Sequence, residues 1–292
     1  MTENNLSTMI EKQGIFIGAK ASYQEAHGII IGIPMDYTVS YRPGTRSGPL
    51  AIRNVSIALE EYSIYLDRNL EDYEYCDLGD LGLPFGNVSS SLEMIEEATD
   101  NLLEDGKFPI FLGGEHLVSY PIIKSFARKY SGLHVIHFDA HADLRKDYYG
   151  EESSHSTVMR KASEILGPGR VYQFGIRSGI KEEFEYAQKN TRMFPQEVVK
   201  PLQETLSELK GKPIYVSLDI DVVDPAYAPG TGTQEPGGCT SREIIQAIHL
   251  LGQLDIVGFD LVEVSPHLDF SERTAILAAK IVREGILAFL KK

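Results

Sequence analysis

Short, unbroken apolar runs alternate along this chain with longer stretches in which apolar residues recur every third or fourth position. The runs around Ile29 to Ile33, Phe108 to Gly114, Leu133 to His141, near Val171, Pro213 to Asp221 and Asp255 to Val264 predict strands. They are continuous instead of alternating, as expected of strands covered on both faces. Between Ser91 and Gly106 the apolar stripe Leu92, Ile95, Ala98, Leu102, Leu103 predicts a helix, with Gly106 as its stop. A second stripe, Ala275, Ala279, Val282, Ile286 and Phe289, predicts another near the end. Strand and helix in alternation imply an α/β fold, a parallel sheet with helices on both faces. No linker, low-complexity tract or internal repeat divides the chain, so residues 1–292 read as one domain.

In open sheets of this kind ligands bind beyond the carboxyl ends of the strands. Here those ends are acids and histidines. The segment HVIHFDAHADLR sets Asp139, His141 and Asp143 two residues apart, and side chains at that spacing in extended chain point the same way. A second strand ends in Asp219 and Asp221, and a third ends in two glycines followed by Glu115 and His116. Four ionised aspartates at adjoining strand ends would repel strongly unless cations neutralise them, and two divalent ions cancel that charge. Oxygen and imidazole donors without thiolate favour manganese or magnesium over zinc. A paired site can ionise a water into a nucleophile near neutral pH.

Charge and cysteine content narrow the partners. With 28 Lys and Arg against 42 Asp and Glu the formal charge is −14, which disfavours nucleic acid and suits metal ions or a small cation. The apolar fraction of 42% is enough for a substantial core. Cys76 and Cys239 lie outside any CxxC pattern, which argues against a structural zinc or a disulfide framework. The chain shows neither a signal-peptide pattern nor an apolar run of membrane length, so no membrane is expected and the cytoplasm is the expected location.

These motifs resemble the ureohydrolase (arginase/agmatinase) superfamily, closest to its agmatinase branch. The resemblance rests on GGEH from Gly113, HFDAHADLR from His137, SLDIDVVDPAYAPGTGTQEPGG from Ser217 and DLVEVSP from Asp260, with YRPGTRSGP from Tyr41. It covers nearly the whole chain and implies a three-layer αβα sandwich around a mostly parallel sheet, assembled as a homotrimer or hexamer. It implies two manganese ions, one on His116, Asp139, Asp143 and Asp219, the other on Asp139, His141, Asp219 and Asp221. It also implies that His155 shuttles a proton, that Glu263 pairs with the substrate guanidinium and that the Thr233 hydroxyl lies near it. The reaction so implied is attack of a metal-bridging hydroxide on the guanidinium of agmatine, with Asp139 and His155 delivering a proton to the leaving amine, to give urea and putrescine.

The distal end of the substrate is less fixed. Where arginases carry an asparagine in a neutral loop, this chain has Arg145, followed by Asp147, Glu151 and Glu152. That acidic rim suits a substrate ending in an ammonium. The alternatives are guanidinobutyrate or another guanidino acid as substrate, and a catalytically inactive metal-binding regulator on the same scaffold. His27, His134, His249 and His267 read as surface or packing residues. His137 reads as a residue behind the cluster, or a core residue. Arg42, Arg46 and Arg53 read as structural or as lying at a subunit contact.

Overall fold

All six apolar runs become strands of a single sheet in the computed structural model, which describes residues 6–291. In chain order the strands are β1 (Ile10–Glu11), β2 (Gly28–Ile33), β3 (Tyr62–Ser63), β4 (Arg68–Asn69), β5 (Tyr75–Leu81), β6 (Phe108–Gly113), β7 (His134–Phe138), β8 (Val171–Ile176), β9 (Arg192–Pro195), β10 (Pro213–Asp219) and β11 (Asp255–Val262). Among the described residues, nine of them form one sheet in the order β1-β5-β2-β6-β11-β10-β7-β8-β9, while β3 and β4 pair separately. Every pairing in the large sheet is parallel except β1 with β5 at one edge.

The helices are α1 (Gly48–Ser56), α2 (Val88–Glu104), α3 (Ser119–Lys129), α4 (Val158–Leu166), α5 (Lys181–Asn190), α6 (Val199–Leu209), α7 (Ser241–Leu251) and α8 (Arg273–Phe289). Strand side chains divide between the two faces with period two. Ile30, Ile110, Leu112, Ile136, Phe138, Val216 and Leu218 join α1, α6, α7 and α8 in one core. Ile29, Ile31, Phe111, Val135 and Tyr215 join α2, α3 and α4 in the other. The result is the three-layer sandwich, with apolar packing on both faces of the sheet.

Helix α2 begins four residues ahead of the apolar stripe, because the Asn87 side chain caps it by accepting a hydrogen bond from the Ser90 backbone N–H (3.1 Å). It stops where Gly106 takes a φ of 69°. Strand β5 is invisible as an apolar run because Asp77 and Asp80 interrupt it. Both acids turn inward onto Arg53 of α1, a fully buried guanidinium, so Arg53 is structural.

Helix α8 carries another buried acid, Glu284. Its carboxylate accepts from Ser63 Oγ (2.8 Å) and faces His249 Nε2 (2.8 Å) and the Arg283 guanidinium. Burial by itself would raise its pKa, but these donors hold the carboxyl down at about 2. In the unfolded chain an ordinary glutamate titrates at about 4.3. The stabilisation is therefore complete above that value and is lost as pH falls towards 2. Comparing thermal unfolding of Glu284→Gln with the parent from pH 6 to 3 should show a flatter acid limb for the variant, a difference of about 2 kcal/mol. Parallel curves would contradict this account.

Candidate metal centre

Strands β6, β11, β10 and β7 are neighbours in the middle of the sheet. Leu218 is in register with Phe138, and Asp219 with Val262. Asp139, Asp219 and Glu263 therefore leave three adjoining strands at nearly one level. His116 joins them after β6. The glycines before it serve close approach, not a left-handed turn, since neither has a positive φ. A Cβ on Gly114 would stand 2.0 Å from the Met35 carbonyl oxygen, and one on Gly113 2.5 Å from Val262 Cγ1. Only glycine lets this backbone lie against its neighbours.

His116 is buried, and its Nδ1 stands 3.1 Å from Asp139 Oδ2, 3.2 Å from Asp143 Oδ2 and 3.3 Å from Asp219 Oδ2. It makes a directed hydrogen bond to none of them. Ligands held about 2.1 Å from one octahedral ion lie about 3 Å apart, so this spacing fits donors arranged around a common cation. The other ring nitrogen, Nε2, lies 3.0 Å from Ser217 Oγ, which donates to Asp260 Oδ1 (2.8 Å). That chain places the ring proton on Nε2 and turns the Nδ1 lone pair towards the aspartates, as outer partners of metal-binding imidazoles do.

The second group shares Asp139. His141 Nδ1 lies 2.9 Å from Asp221 Oδ2 and 3.6 Å from Asp139 Oδ1. Asp221 is steadied by the Ala140 backbone N–H (3.0 Å), and Asp219 Oδ1 accepts from the Asp221 N–H (2.8 Å). His137 also touches Asp139, with Nε2 2.8 Å from Oδ2. Its Nδ1 faces the Gln173 amide nitrogen (3.2 Å), which fixes the proton on Nε2 and makes His137 a donor to Asp139, not a lone-pair ligand.

The electrostatics call for positive charge. Burial, then the charges of Asp221 and Asp139, push the Asp219 carboxyl well above its ordinary range. Asp139 is held well below it, because contacts with His137, His116 and His141 outweigh its burial. Burial opposes protonation of His141, yet Asp221 and Asp139 raise its pKa to about 12. A field that holds protons this firmly on imidazole binds divalent cations for the same reason, and the oxygen and imidazole donor set fits them.

Two of the site residues sit in backbone conformations that favour glycine. Asp143 has φ 53° and Glu263 has φ 65°. Asp143 is anchored because its carbonyl accepts from the Met159 and Arg160 N–H groups at the start of α4 (3.0 and 3.1 Å). Glu263 is anchored by its own N–H to the Gly114 carbonyl (2.8 Å), and its Oε1 accepts from the His116 N–H (2.8 Å). Burial, which outweighs that hydrogen bond, raises the Glu263 carboxyl to about 8.

A cleft of about 280 Å³ opens over these residues, lined by His116, His141, Asp143, Asp219, Asp221 and Glu263 and, around its walls, by Arg145, His155, Thr233 and Glu235. His155 Nδ1 lies 2.8 Å from the Thr38 carbonyl, so that nitrogen carries the proton and Nε2 keeps its lone pair. Thr38 is in turn clamped by Glu115, a fully buried acid. Its oxygens accept from the Tyr37 N–H (2.9 Å), the Thr38 N–H (3.0 Å) and the Thr38 hydroxyl. In the sequence Glu115 stands out only as the neighbour of His116. Its part is to hold the segment that carries Thr38, a contact across 77 positions of chain that no local pattern reveals.

The acidic rim does not form at the cleft as expected. Asp147, Glu151 and Glu152 are not among its lining residues. Asp147 accepts instead from the Gly150 N–H (3.0 Å), and Glu151 from the Ser153 N–H (2.8 Å), so both shape their own turns. Arg145 does line the cleft, with its Nε 3.8 Å from Glu183 and its guanidinium over the Tyr148 ring. His27, His134, His249 and His267 lie outside the cleft. Arg42 and Arg46 donate to the Gly232 and Asp36 carbonyls respectively.

A parallel sheet whose central strands end in a shared histidine and aspartate cluster under a cleft defines a metal-binding enzyme of the α/β class. The chain belongs to the arginase family, whose model matches residues 26–288. It is 56% identical over 280 residues to an agmatinase of Bacillus subtilis, covering 95% of this chain and 97% of that one. A guanidinobutyrase of Pseudomonas aeruginosa is 35% identical over 266 residues, covering 87% and 83% respectively. Among solved structures, the agmatine ureohydrolase of Thermoplasma volcanium superposes with a TM-score of 0.86 at 33% identity, covering 98% of this chain and 97% of its own.

Proposed function

We propose that this chain is a single-domain agmatinase, hydrolysing the guanidinium of agmatine to urea and putrescine at two manganese ions. The observation that carries the reading is the position of Asp139, common to the His116 group and to the His141–Asp221 pair. In this reading His116, Asp139, Asp143 and Asp219 hold one ion, while Asp139, His141, Asp219 and Asp221 hold the other. When bound, such a pair neutralises the aspartates and lets water ionise near neutral pH.

The remaining steps fall to the chain's own side chains. Glu263, with Oε1 held by the His116 N–H, offers Oε2 to the guanidinium and fixes its plane. A cation there draws the carboxyl back to its ionised form. The Thr233 hydroxyl lies at the cleft wall as a further donor. The proton released when water ionises would pass by way of Asp139 to the leaving amine, with His155, whose Nε2 lies 3.4 Å from Ser40 Oγ, as the relay to solvent. No helix among the described residues is long and apolar enough to cross a membrane. By its family resemblance we place the protein in the cytoplasm as a homotrimer or hexamer.

Urea release tests this directly. With manganese supplied, agmatine should be hydrolysed faster than 4-guanidinobutyrate or arginine, and chelation should abolish the activity until manganese is restored. Faster hydrolysis of a guanidino acid would favour the second reading, a guanidinobutyrase, for which Arg145 in the cleft offers a partner to a distal carboxylate.

A further inference from the structure

Apart from Glu263 and the aspartates of the cluster, the described residues lining the cleft include two carboxylates, Glu183 and Glu235. Glu183 is committed elsewhere. It is buried, and its oxygens accept from the Leu144 and Ile180 N–H groups at 2.8 Å each, with Arg145 beside it. Glu235 differs in every respect. It is half-buried, and no hydrogen bond or ion pair from a described residue reaches its carboxylate.

Its backbone, by contrast, is firmly held. The Glu235 carbonyl accepts from Arg177 Nε (3.1 Å) and Nη2 (2.7 Å). The same guanidinium donates to the carbonyls of Gly175 and Val222 (3.2 Å each) and of Asp221 (2.7 Å). Arg177 thereby ties the loop bearing Glu235 to the strand end that supplies Asp221. A carboxylate on a fixed backbone, on a residue that lines a cleft and without a partner among the described residues, is preorganised for a cation from outside.

We infer that Glu235 receives the ammonium at the distal end of the substrate, and so selects an amine-terminated guanidine over a carboxylate-terminated one. This rests on the reading of the cleft as a ureohydrolase site, and it replaces the rim of Asp147, Glu151 and Glu152 as the source of that preference. The charge of Glu235 acts on binding far from the bond that breaks, so its loss should appear in KM more than in kcat.

The test compares agmatine with n-butylguanidine, which lacks the ammonium, and with 4-guanidinobutyrate. In Glu235→Gln, KM for agmatine should rise about tenfold with kcat changed less than about threefold. The agmatine to n-butylguanidine ratio of kcat/KM should fall by the same factor. In Glu235→Lys the agmatine to guanidinobutyrate ratio should fall at least about a hundredfold. If the parent prefers agmatine and both ratios survive in folded variants, Glu235 is not the ammonium partner although the proposed activity stands. If the parent does not prefer agmatine, the proposed activity and this inference fall together.

Discussion

Replacing Asp139 with asparagine should lower urea release from agmatine at least about a thousandfold, close to 4 kcal/mol of transition-state stabilisation. Asp139 is fully buried, and each of its oxygens faces a histidine that belongs to the cluster or supports it. Asparagine keeps the shape but removes the charge, and it turns one oxygen into a donor. That donor must face either the Nε2–H of His137 or the N–H of His141, which lies 2.6 Å from Oδ1. The loss therefore strikes both halves of the site, whereas a change at Asp143 or Asp221 strikes one. Metal content measured on the purified variant should fall along with activity. A variant that keeps its full metal complement and more than about a tenth of the parent rate would refute the shared position assigned to Asp139.

The second large effect concerns folding, not chemistry. Arg53→Met should destabilise the protein by about 3–5 kcal/mol, read as a lower denaturant midpoint at unchanged slope. The Arg53 guanidinium is wholly inaccessible, as is Asp77, and it donates to Asp77 through Nε (2.8 Å) and Nη2 (2.9 Å) and to Asp80 through Nη1. Methionine fills similar space but leaves two inward-facing acids without a counter-charge. Asp80 is itself buried, and burial raises its carboxyl even against the pull of Arg53. Removing the acids together with the arginine should cost less than removing the arginine alone. Equal losses in the single and triple variants would mean that Arg53 contributes packing and nothing more.

Much of this was readable from the chain, for identifiable reasons. The six central strands announce themselves because a strand covered on both faces has to be apolar throughout. The metal-ligand candidates announce themselves because a spacing of two in extended chain forces side chains to one side. Strand β5 hides because its acids are matched by Arg53, 24 positions earlier in the chain, and β9 hides because a four-residue edge strand carries little pattern. His137 is ambiguous by spacing alone, since only the Gln173 amide decides which ring nitrogen holds the proton. The sign of the charge after Asp143 was legible, but the direction of Asp147 and Glu151 was not. Short polar side chains obey the nearest turn before they obey a distant ligand. Glu115, Arg177 and Glu235 take their meaning from contacts between distant segments, which local periodicity does not encode.

The left-handed backbone at Asp143 and Glu263 bears on how such an enzyme can be improved. Glycine at either position would relax the main chain, so a library screened for heat resistance alone rewards the residues that erase the site. Engineering for durability must therefore exempt those two codons, or demand turnover in every round.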